Sequence, residues 1–242
     1  MKQVLLKIVE NKPLNASVME MTLQGDVSGV KAGQFINIKI DGLYLRRPIS
    51  VCEILDGGLK IIYKIVGKGT EILSQMKTGE SLDVLTVLGN GYDLSLSGDK
   101  PLLIGGGVGV PPMYELCKQL ISAGKKVSVI LGFNTKSEIF YENEFINLGA
   151  KVAVTTVDGS YGIKGFVTDA MKDLDYSYFY TCGPEPMLKA VHKQSVTDGE
   201  MSFEERMGCG FGACMGCSCK TLTGNKRICK EGPVLKKGEI LW

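Results

Sequence analysis

The chain has 242 residues, of which 44% are hydrophobic and 22% are charged, and its formal net charge is +2. This composition is ordinary for a soluble globular protein, and scattered basic residues argue against a nucleic-acid surface or a polybasic membrane anchor. No apolar stretch reaches the length needed to span a bilayer. Eight cysteines without a targeting segment predict a reducing compartment, the cytoplasm.

The first part of the chain, residues 1–98, contains short runs in which apolar and polar residues alternate. Gly, Pro and Asn separate these runs, and this pattern predicts an antiparallel β-barrel or sandwich. A turn at Gly67–Thr70 precedes a short helical run at residues 71–76. The predicted strands cover residues 4–9, 17–22, 34–40, 59–66 and 82–87.

Residues 99–200 change to apolar strands that alternate with amphipathic helices, which predicts a parallel sheet with helices on both faces. The strands are predicted at residues 102–104, 127–131, 152–157 and 178–180, and the helices at 111–123, 138–148, 166–174 and 185–197. The glycine-rich run Gly105–Pro112 follows the first of these strands and opens a helix, where bare backbone can approach a pyrophosphate. Val110 occupies the third glycine position of G-x-G-x-x-G, so a plain strand-to-helix turn remains an alternative.

The last segment, residues 201–242, contains four cysteines in a C-x4-C-x2-C-x11-C spacing among glycines: Cys209, Cys214, Cys217 and Cys229. This pattern predicts a [2Fe-2S] cluster, whose sulfurs need backbone N–H groups turned toward them. Zinc is the main alternative, but the single histidine of the chain, His192, lies outside the segment. Disulfides are less favoured in a reducing compartment.

Three other cysteines are predicted to be packing residues without a chemical role. Cys217 completes the C-x4-C-x2-C spacing, so Cys219, two residues later, is interpreted as a small packed residue or a spectator thiol. Cys52 and Cys117 lie in segments that resemble a strand and a helix. His192, inside a predicted helix, is interpreted as a surface or packing residue.

Two motifs carry a resemblance to a known superfamily. Arg47-Pro48-Ile49-Ser50 resembles the R-x-[YI]-S flavin signature of the ferredoxin–NADP reductases, and Cys182–Met187 resembles their C-G-P-x-x-M motif. With the glycine run and the cysteine segment in the expected order, the whole chain resembles the electron transfer subunits of NAD-linked dihydroorotate dehydrogenases. The resemblance implies a β plus α/β fold: an N-terminal FAD-binding antiparallel barrel (1–98), a parallel-sheet nucleotide-binding domain (99–200) and a small [2Fe-2S] module (201–242).

The resemblance also implies which residues bind each cofactor, with FAD and the cluster resident and NAD as substrate. The loop at residues 132–137 has neither an acidic residue for a ribose nor an arginine pair for a 2′-phosphate, and only the resemblance favours NAD over NADP. Trp242 is interpreted as a packing or interface residue. The implied FAD contacts are Arg47, Pro48, Ile49, Ser50, Ile62, Tyr63, Lys64, Gly69 and Thr70. The implied NAD contacts are Gly105, Gly106, Gly107, Gly109, Cys182, Gly183, Pro184 and Glu185.

The implied activity is electron transfer in pyrimidine biosynthesis, with no catalytic acid or base in this chain. A hydride carries two electrons and a cluster carries one, and a flavin can convert between them. The implied partner is an FMN-containing dihydroorotate dehydrogenase catalytic subunit, in a heterotetramer of two copies of each, with no nucleic acid or membrane. Two alternatives stay open: a subunit of another NAD(P)H:ferredoxin or sulfide oxidoreductase, and a zinc-bearing regulatory protein.

Overall fold

The computed structural model describes residues 1–172 and 174–242, which form two compact units. The first unit comprises residues 1–91 and 204–234, and the second comprises residues 92–203 and 235–242. The cysteine-rich segment therefore packs with the N-terminal strands, although more than a hundred residues separate them in sequence. No helix among the described residues is long and apolar enough to cross a membrane.

The first unit is built on a closed barrel of antiparallel strands in the order β1-β2-β5-β4-β3-β6. The strand β1 pairs with both β2 and β6, which closes the barrel and decides between the two architectures that alternation predicts. The strands are β1 (Lys2–Pro13), β2 (Val18–Gln24), β3 (Phe35–Ile38), β4 (Arg47–Leu55), β5 (Gly58–Lys64) and β6 (Ser81–Leu88).

The inward side chains of these strands form the barrel core. Ile36 and Ile38 of β3 are fully buried in it, as are Leu6 of β1, Met21 of β2 and Ile61 of β5. Burying side chains of this size stabilises the fold by about 1.5–3 kcal/mol each. Successive side chains of a strand point to opposite faces. The residue between Ile36 and Ile38, and the residues that alternate with inward ones on the other strands, therefore project from the outer face of the barrel.

One helix, α1 (Lys68–Gln75), connects β5 to β6 and begins three residues earlier than the sequence predicts. The Thr70 hydroxyl accepts hydrogen bonds from the N–H groups of Val66 and Gly67, at 3.0 and 3.3 Å. These bonds satisfy donors just before the helix start and extend the helix into the Gly67–Thr70 turn. At the other end, the Asn11 amide donates to the carbonyls of Leu73 and Met76.

The second unit contains a seven-stranded sheet in the order β10-β9-β8-β7-β11-β12-β15. All pairings from β10 to β12 are parallel. The strands are β7 (Pro101–Gly106), β8 (Ser128–Phe133), β9 (Lys151–Thr156), β10 (Ile163–Lys164), β11 (Tyr178–Cys182), β12 (Gly199–Ser202) and β15 (Val234–Lys236). The helices are α2 (Pro111–Ser122), α3 (Glu142–Leu148), α4 (Val167–Met171) and α5 (Glu185–Gln194).

The order of the strands reverses between β7 and β11. The chain runs outward from β7 to β10 on one side, then returns to β11 and β12 on the other, and α2 packs with α3 while α4 packs with α5. Right-handed crossovers then place the two helix pairs on opposite faces. In such sheets ligands bind at the carboxyl ends of the strands where the order reverses, here β7 and β11.

All four predicted helices in this unit extend beyond the observed ones, and three observed strands, β10, β12 and β15, are absent from the prediction. Residues 136–138 form a separate 3₁₀ turn, so α3 begins at Glu142, while α2 ends at Ser122, α4 at Met171 and α5 at Gln194. Residue 173, within the predicted helix 166–174, lies outside the described residues. The short strands β10, β12 and β15 lack a clear alternation in sequence. In the structure β10 pairs with β9, β12 pairs with β11, and β15 lies beside β12 at the edge of the sheet.

Glu200, on β12, is a buried carboxyl group that should make this unit less stable as the pH rises from mildly acidic to neutral. Its side chain is 4% exposed and accepts a hydrogen bond from the N–H of Asp93 at 2.9 Å. Burial raises the pKa of Glu200 to about 7, although the Asp93 N–H opposes the shift. The protonated form is therefore favoured in the folded state, and its contribution to stability is lost as pH rises from the unfolded pKa of 4.5 through the folded value of about 7.

Glu200→Gln keeps an acceptor for Asp93 and cannot ionise. Between about pH 5 and about pH 8, we expect the free energy of unfolding of the unmodified chain to fall by about 1–3 kcal/mol relative to this variant. Thermal unfolding followed over that pH range measures the difference. Parallel curves for the two proteins would contradict the expectation.

Candidate functional site

The predicted cluster ligands lie in one loop and one hairpin of the first unit. Cys209 and Cys214 belong to the glycine-rich loop, Cys217 directly precedes strand β13 (Ser218–Thr221), and Cys229 follows strand β14 (Gly224–Arg227). The antiparallel pairing of β13 with β14 sets Ser218 opposite Arg227, and the Ile228 N–H donates to the Cys217 carbonyl at 3.1 Å. The hairpin thus brings together two cysteines that are far apart in the spacing pattern.

Backbone N–H groups surround the sulfurs of this loop. The Cys209 Sγ accepts from the N–H groups of Ala213 and Cys214 at 3.2 and 3.4 Å, and the Cys214 Sγ accepts from those of Cys209 and Gly216 at 3.5 and 3.4 Å. The Cys229 N–H donates to the Cys217 Sγ at 3.4 Å. Hydrogen bonds of this kind stabilise thiolates and tune iron–sulfur clusters, so the donor set fits such a group.

The two pairs of thiols differ in their environment. Burial acts to raise the pKa of Cys209, but hydrogen bonds from Phe211, Cys214 and Ala213 outweigh it and lower the pKa to about 6. Burial and a hydrogen bond with Cys217 raise the pKa of Cys229 to about 12. One pair is therefore held near the surface among polar backbone groups, and Cys217 and Cys229 are each 2% exposed.

The four thiols fall into two pairs. The sulfurs of Cys209 and Cys214 lie together, and so do those of Cys217 and Cys229. A structural zinc ion takes four ligands, whereas each iron of a [2Fe-2S] cluster takes two from the protein.

Cys219 lies within the hairpin, on β13 and opposite Lys226. Burial is the main cause that raises the pKa of its thiol, so its surroundings do not favour the thiolate that a metal needs. This observation accords with the prediction that Cys219 is a packing residue, which stays a prediction. Cys52 and Cys117 are fully buried, and burial raises the pKa of Cys117 to about 12.

The predicted phosphate-binding residues of the flavin site meet at the start of α1. The guanidinium of Arg47, at the beginning of β4, lies so close to Gly69 that a side chain at that glycine would overlap its Nε. Its Nη1 donates to the Leu45 carbonyl. A guanidinium beside a helix N-terminus presents a planar set of donors together with backbone N–H groups, which is suited to a pyrophosphate.

The other predicted flavin contacts divide between the two faces of the barrel wall. Ile49 packs against the core, and Tyr63 is 2% exposed within it, where its hydroxyl donates to Asn11 Oδ1 at 3.0 Å. Burial raises the pKa of Tyr63. The residues that alternate with these inward ones lie on the outer face; they are Pro48, Ser50, Ile62 and Lys64. The structure therefore places the Tyr63 side chain away from its predicted neighbours.

The outer face also carries a polar residue that the sequence analysis does not single out. Asn37 is directly opposite Pro48 in the pairing of β3 with β4, and it is 1% exposed. Its Nδ2 donates to the carbonyl of Cys209 at 3.3 Å. The signal in the sequence is a single polar residue within the apolar run Phe35–Ile38.

The predicted nicotinamide residues meet where the strand order of the second unit reverses. Gly105 on β7 and Cys182 on β11 are direct partners in the sheet, and Gly109 packs against the Cys182 carbonyl. Pro184 and Glu185 begin α5, and Glu185 pairs with Lys189 at 2.8 Å. The glycine run Gly105–Pro112 and the Cys182–Met187 motif thus lie at the carboxyl ends of adjacent parallel strands, the expected place for a dinucleotide.

Two sequence families match segments of the chain. Residues 204–241 match the iron-sulfur cluster binding domain of dihydroorotate dehydrogenase B, and residues 103–193 match the oxidoreductase NAD-binding domain. The electron transfer subunit of NAD(+)-linked dihydroorotate dehydrogenase B from Geobacillus sp. (strain WCH70) is 44% identical over 100% of this chain and 99% of its own length. The subunit of the same name from Bacillus pumilus (strain SAFR-032) is 47% identical, over 99% and 98%.

The chain belongs to the family of these electron transfer subunits. It is thus an oxidoreductase subunit that transfers electrons, and the family matches confirm the predictions of a [2Fe-2S] cluster and of NAD. The name of the relatives also implies a separate catalytic subunit. Of the alternatives left open above, a zinc-bearing regulatory protein has no support among these matches.

Solved structures agree with the fold. A chain of an NADH-dependent reduced ferredoxin–NADP oxidoreductase superposes with a TM-score of 0.89 at 29% identity, covering 99% of this chain and 90% of that one. A ferredoxin–NADP reductase from Neisseria gonorrhoeae with bound FAD and NADP gives 0.69 at 16% identity, covering 80% and 90%. The predicted barrel and parallel-sheet architecture is therefore confirmed, and the flavoprotein reductase fold accords with FAD as the cofactor.

Proposed function

We propose that this chain takes electrons from an FMN-containing catalytic subunit that oxidises dihydroorotate, and delivers them through its [2Fe-2S] cluster and FAD to NAD+. The complex is a heterotetramer with two copies of each subunit, and it works in the cytoplasm in pyrimidine biosynthesis. A chain with eight cysteines, four of them proposed cluster ligands, supports a reducing compartment.

The observation that carries the proposal is the pairing of Asn37 with Pro48 across β3 and β4. Asn37 holds the carbonyl of Cys209, a cluster ligand, and Pro48 belongs to the flavin signature. Directly opposite residues of antiparallel strands have Cβ atoms about 4.5–5.5 Å apart. One face of one barrel therefore serves both the iron–sulfur loop and the flavin-binding strand, which is what electron exchange between them requires.

The residues of the chain hold and orient the redox groups rather than move protons. The FAD pyrophosphate would be bound at the start of α1 by Arg47, Gly69 and Thr70. The isoalloxazine ring would be contacted by Pro48, Ile49 and Ser50 and by the segment Ile62–Lys64. Bound FAD supplies the conversion between a hydride and single electrons. Gly105–Gly109 and Cys182–Glu185 would hold the dinucleotide at the switch point of the sheet.

The test is dihydroorotate-dependent reduction of NAD+ by this chain co-expressed with its FMN subunit. We expect activity from the pair, none from this chain alone with dihydroorotate, and a mass in solution that corresponds to two copies of each. A pair that transfers electrons between NADPH and ferredoxin but none from dihydroorotate would overturn the proposal. That outcome would place the chain with the oxidoreductase that it resembles at 29% identity.

A further inference from the structure

Asn37 connects the two parts of the first unit that carry redox groups. Its amide lies on the outer face of β3, where it donates to the Cys209 carbonyl, and the Cα of Gly210 packs against the same amide. Gly210 has a φ of +79°, and a side chain at this residue would overlap Asn37 Nδ2. The glycine therefore permits a contact that any larger residue would prevent.

The backbone of Asn37 is itself held firmly. Arg46 donates through Nη1 to the Asn37 carbonyl at 3.4 Å and to the Asp83 carbonyl at 2.9 Å, and its Nη2 pairs with the Asp83 carboxylate at 3.0 Å. Asp83 belongs to β6, the other neighbour of β3. The side chain that reaches Cys209 thus starts from a strand that is fixed on both sides.

The stability of the barrel does not explain an amide at this position. The Oδ1 of Asn37 is buried without a hydrogen-bond partner among the described residues. An unpaired buried acceptor costs about 1–3 kcal/mol, and a leucine of similar shape would bury apolar surface without that cost. What the amide supplies in return is the bond from Nδ2 to the carbonyl of the cluster ligand.

We propose that Asn37 is a positioning residue for electron transfer, which fixes the Cys209–Gly210 peptide between the cluster and the flavin-binding strand. In a trans peptide the C=O and N–H groups point in opposite directions, so holding the Cys209 carbonyl toward the barrel turns the Gly210 N–H away from it. Partners in this position orient the ligands themselves, and their loss typically costs about 10–100-fold in metal affinity or activity. The inference rests on the proposed function in that it requires the cluster and FAD to be bound.

The test compares Asn37→Leu and the smaller Asn37→Ser with the unmodified chain, each purified with both groups bound. We expect an altered electron paramagnetic resonance spectrum of the dithionite-reduced cluster, faster loss of iron to a chelator, and electron transfer from cluster to FAD slowed about 10-fold or more. The serine variant leaves no added apolar volume to accommodate, so it remains informative if the leucine variant folds poorly.

Thr86→Val is the matched control. Thr86 lies on β6 of the same barrel, opposite Lys2 of β1, and is fully buried. Its hydroxyl likewise has no hydrogen-bond partner in the described part of the chain. This variant should leave the spectrum and the rate unchanged. Unchanged spectra and rates in both Asn37 variants would overturn the role of Asn37 but leave the proposed electron-transfer function intact. Effects of Thr86→Val equal to those of the Asn37 variants would likewise overturn the role of Asn37. A colourless unmodified chain would overturn both.

Discussion

Replacing Cys217 with serine is expected to give a chain that retains flavin but lacks the iron–sulfur cluster, and that no longer passes electrons between dihydroorotate and NAD+. Cys217 is 2% exposed, its Sγ accepts the Cys229 N–H, and the hairpin places it beside Cys229. A serine hydroxyl is not deprotonated at neutral pH and is a poor ligand for iron, whereas thiolates are the ligands these clusters use. Iron content and the visible spectrum of the purified protein measure the loss.

Cys219→Ser is the matched control, since it makes the same substitution two residues away. Burial raises the pKa of the Cys219 thiol, and the residue lies inside the hairpin opposite Lys226. We expect this variant to keep its iron and its activity within about twofold, because Cys219 is partly exposed and substitutions near the surface usually change stability by about 0.5 kcal/mol or less. If Cys219→Ser loses the cluster and Cys217→Ser retains it, the choice of ligand is wrong.

The sequence contains most of the information about the barrel because strand alternation is a local signal. Ile36 and Ile38 alternate with Asn37, so the face that each residue takes follows from its position. The boundaries of the helices are less well determined. Residues 136–138 and Glu142–Leu148 form one amphipathic stretch in sequence, but the structure divides it between a 3₁₀ turn and α3.

Contacts between distant parts of the chain are the part that the sequence does not predict. The spacing of Cys209 and Cys214 indicates a cluster, but nothing in it shows that the loop packs on β3. The bond from Asn37 to Cys209 joins residues 172 positions apart. Tyr63 is a second example, because the bond from its buried hydroxyl to Asn11 joins residues 52 positions apart and does not follow from the strand pattern.

Replacing Gly69 with valine is expected to weaken FAD binding by about 10–100-fold. The side chain would overlap the Arg47 guanidinium and move it from the start of α1. A charge-assisted hydrogen bond contributes about 1.5–3 kcal/mol, and each 1.4 kcal/mol corresponds to about tenfold in affinity. Arg47→Ala should give a loss of similar size without adding volume. Titration of the flavin-free chain with FAD, followed by the quenching of flavin fluorescence, measures the affinity.

Gly67 offers a control in the same turn, because a side chain there would meet nothing within 4 Å and its φ of 176° is extended backbone open to any residue. Gly67→Ala should therefore bind FAD as the unmodified chain does. Equal weakening in the Gly67 and Gly69 variants would show that the turn as a whole, and not the position of Arg47, determines the affinity. If Gly69→Val and Arg47→Ala both bind FAD normally, the pyrophosphate is held elsewhere, and the site at the start of α1 has to be abandoned.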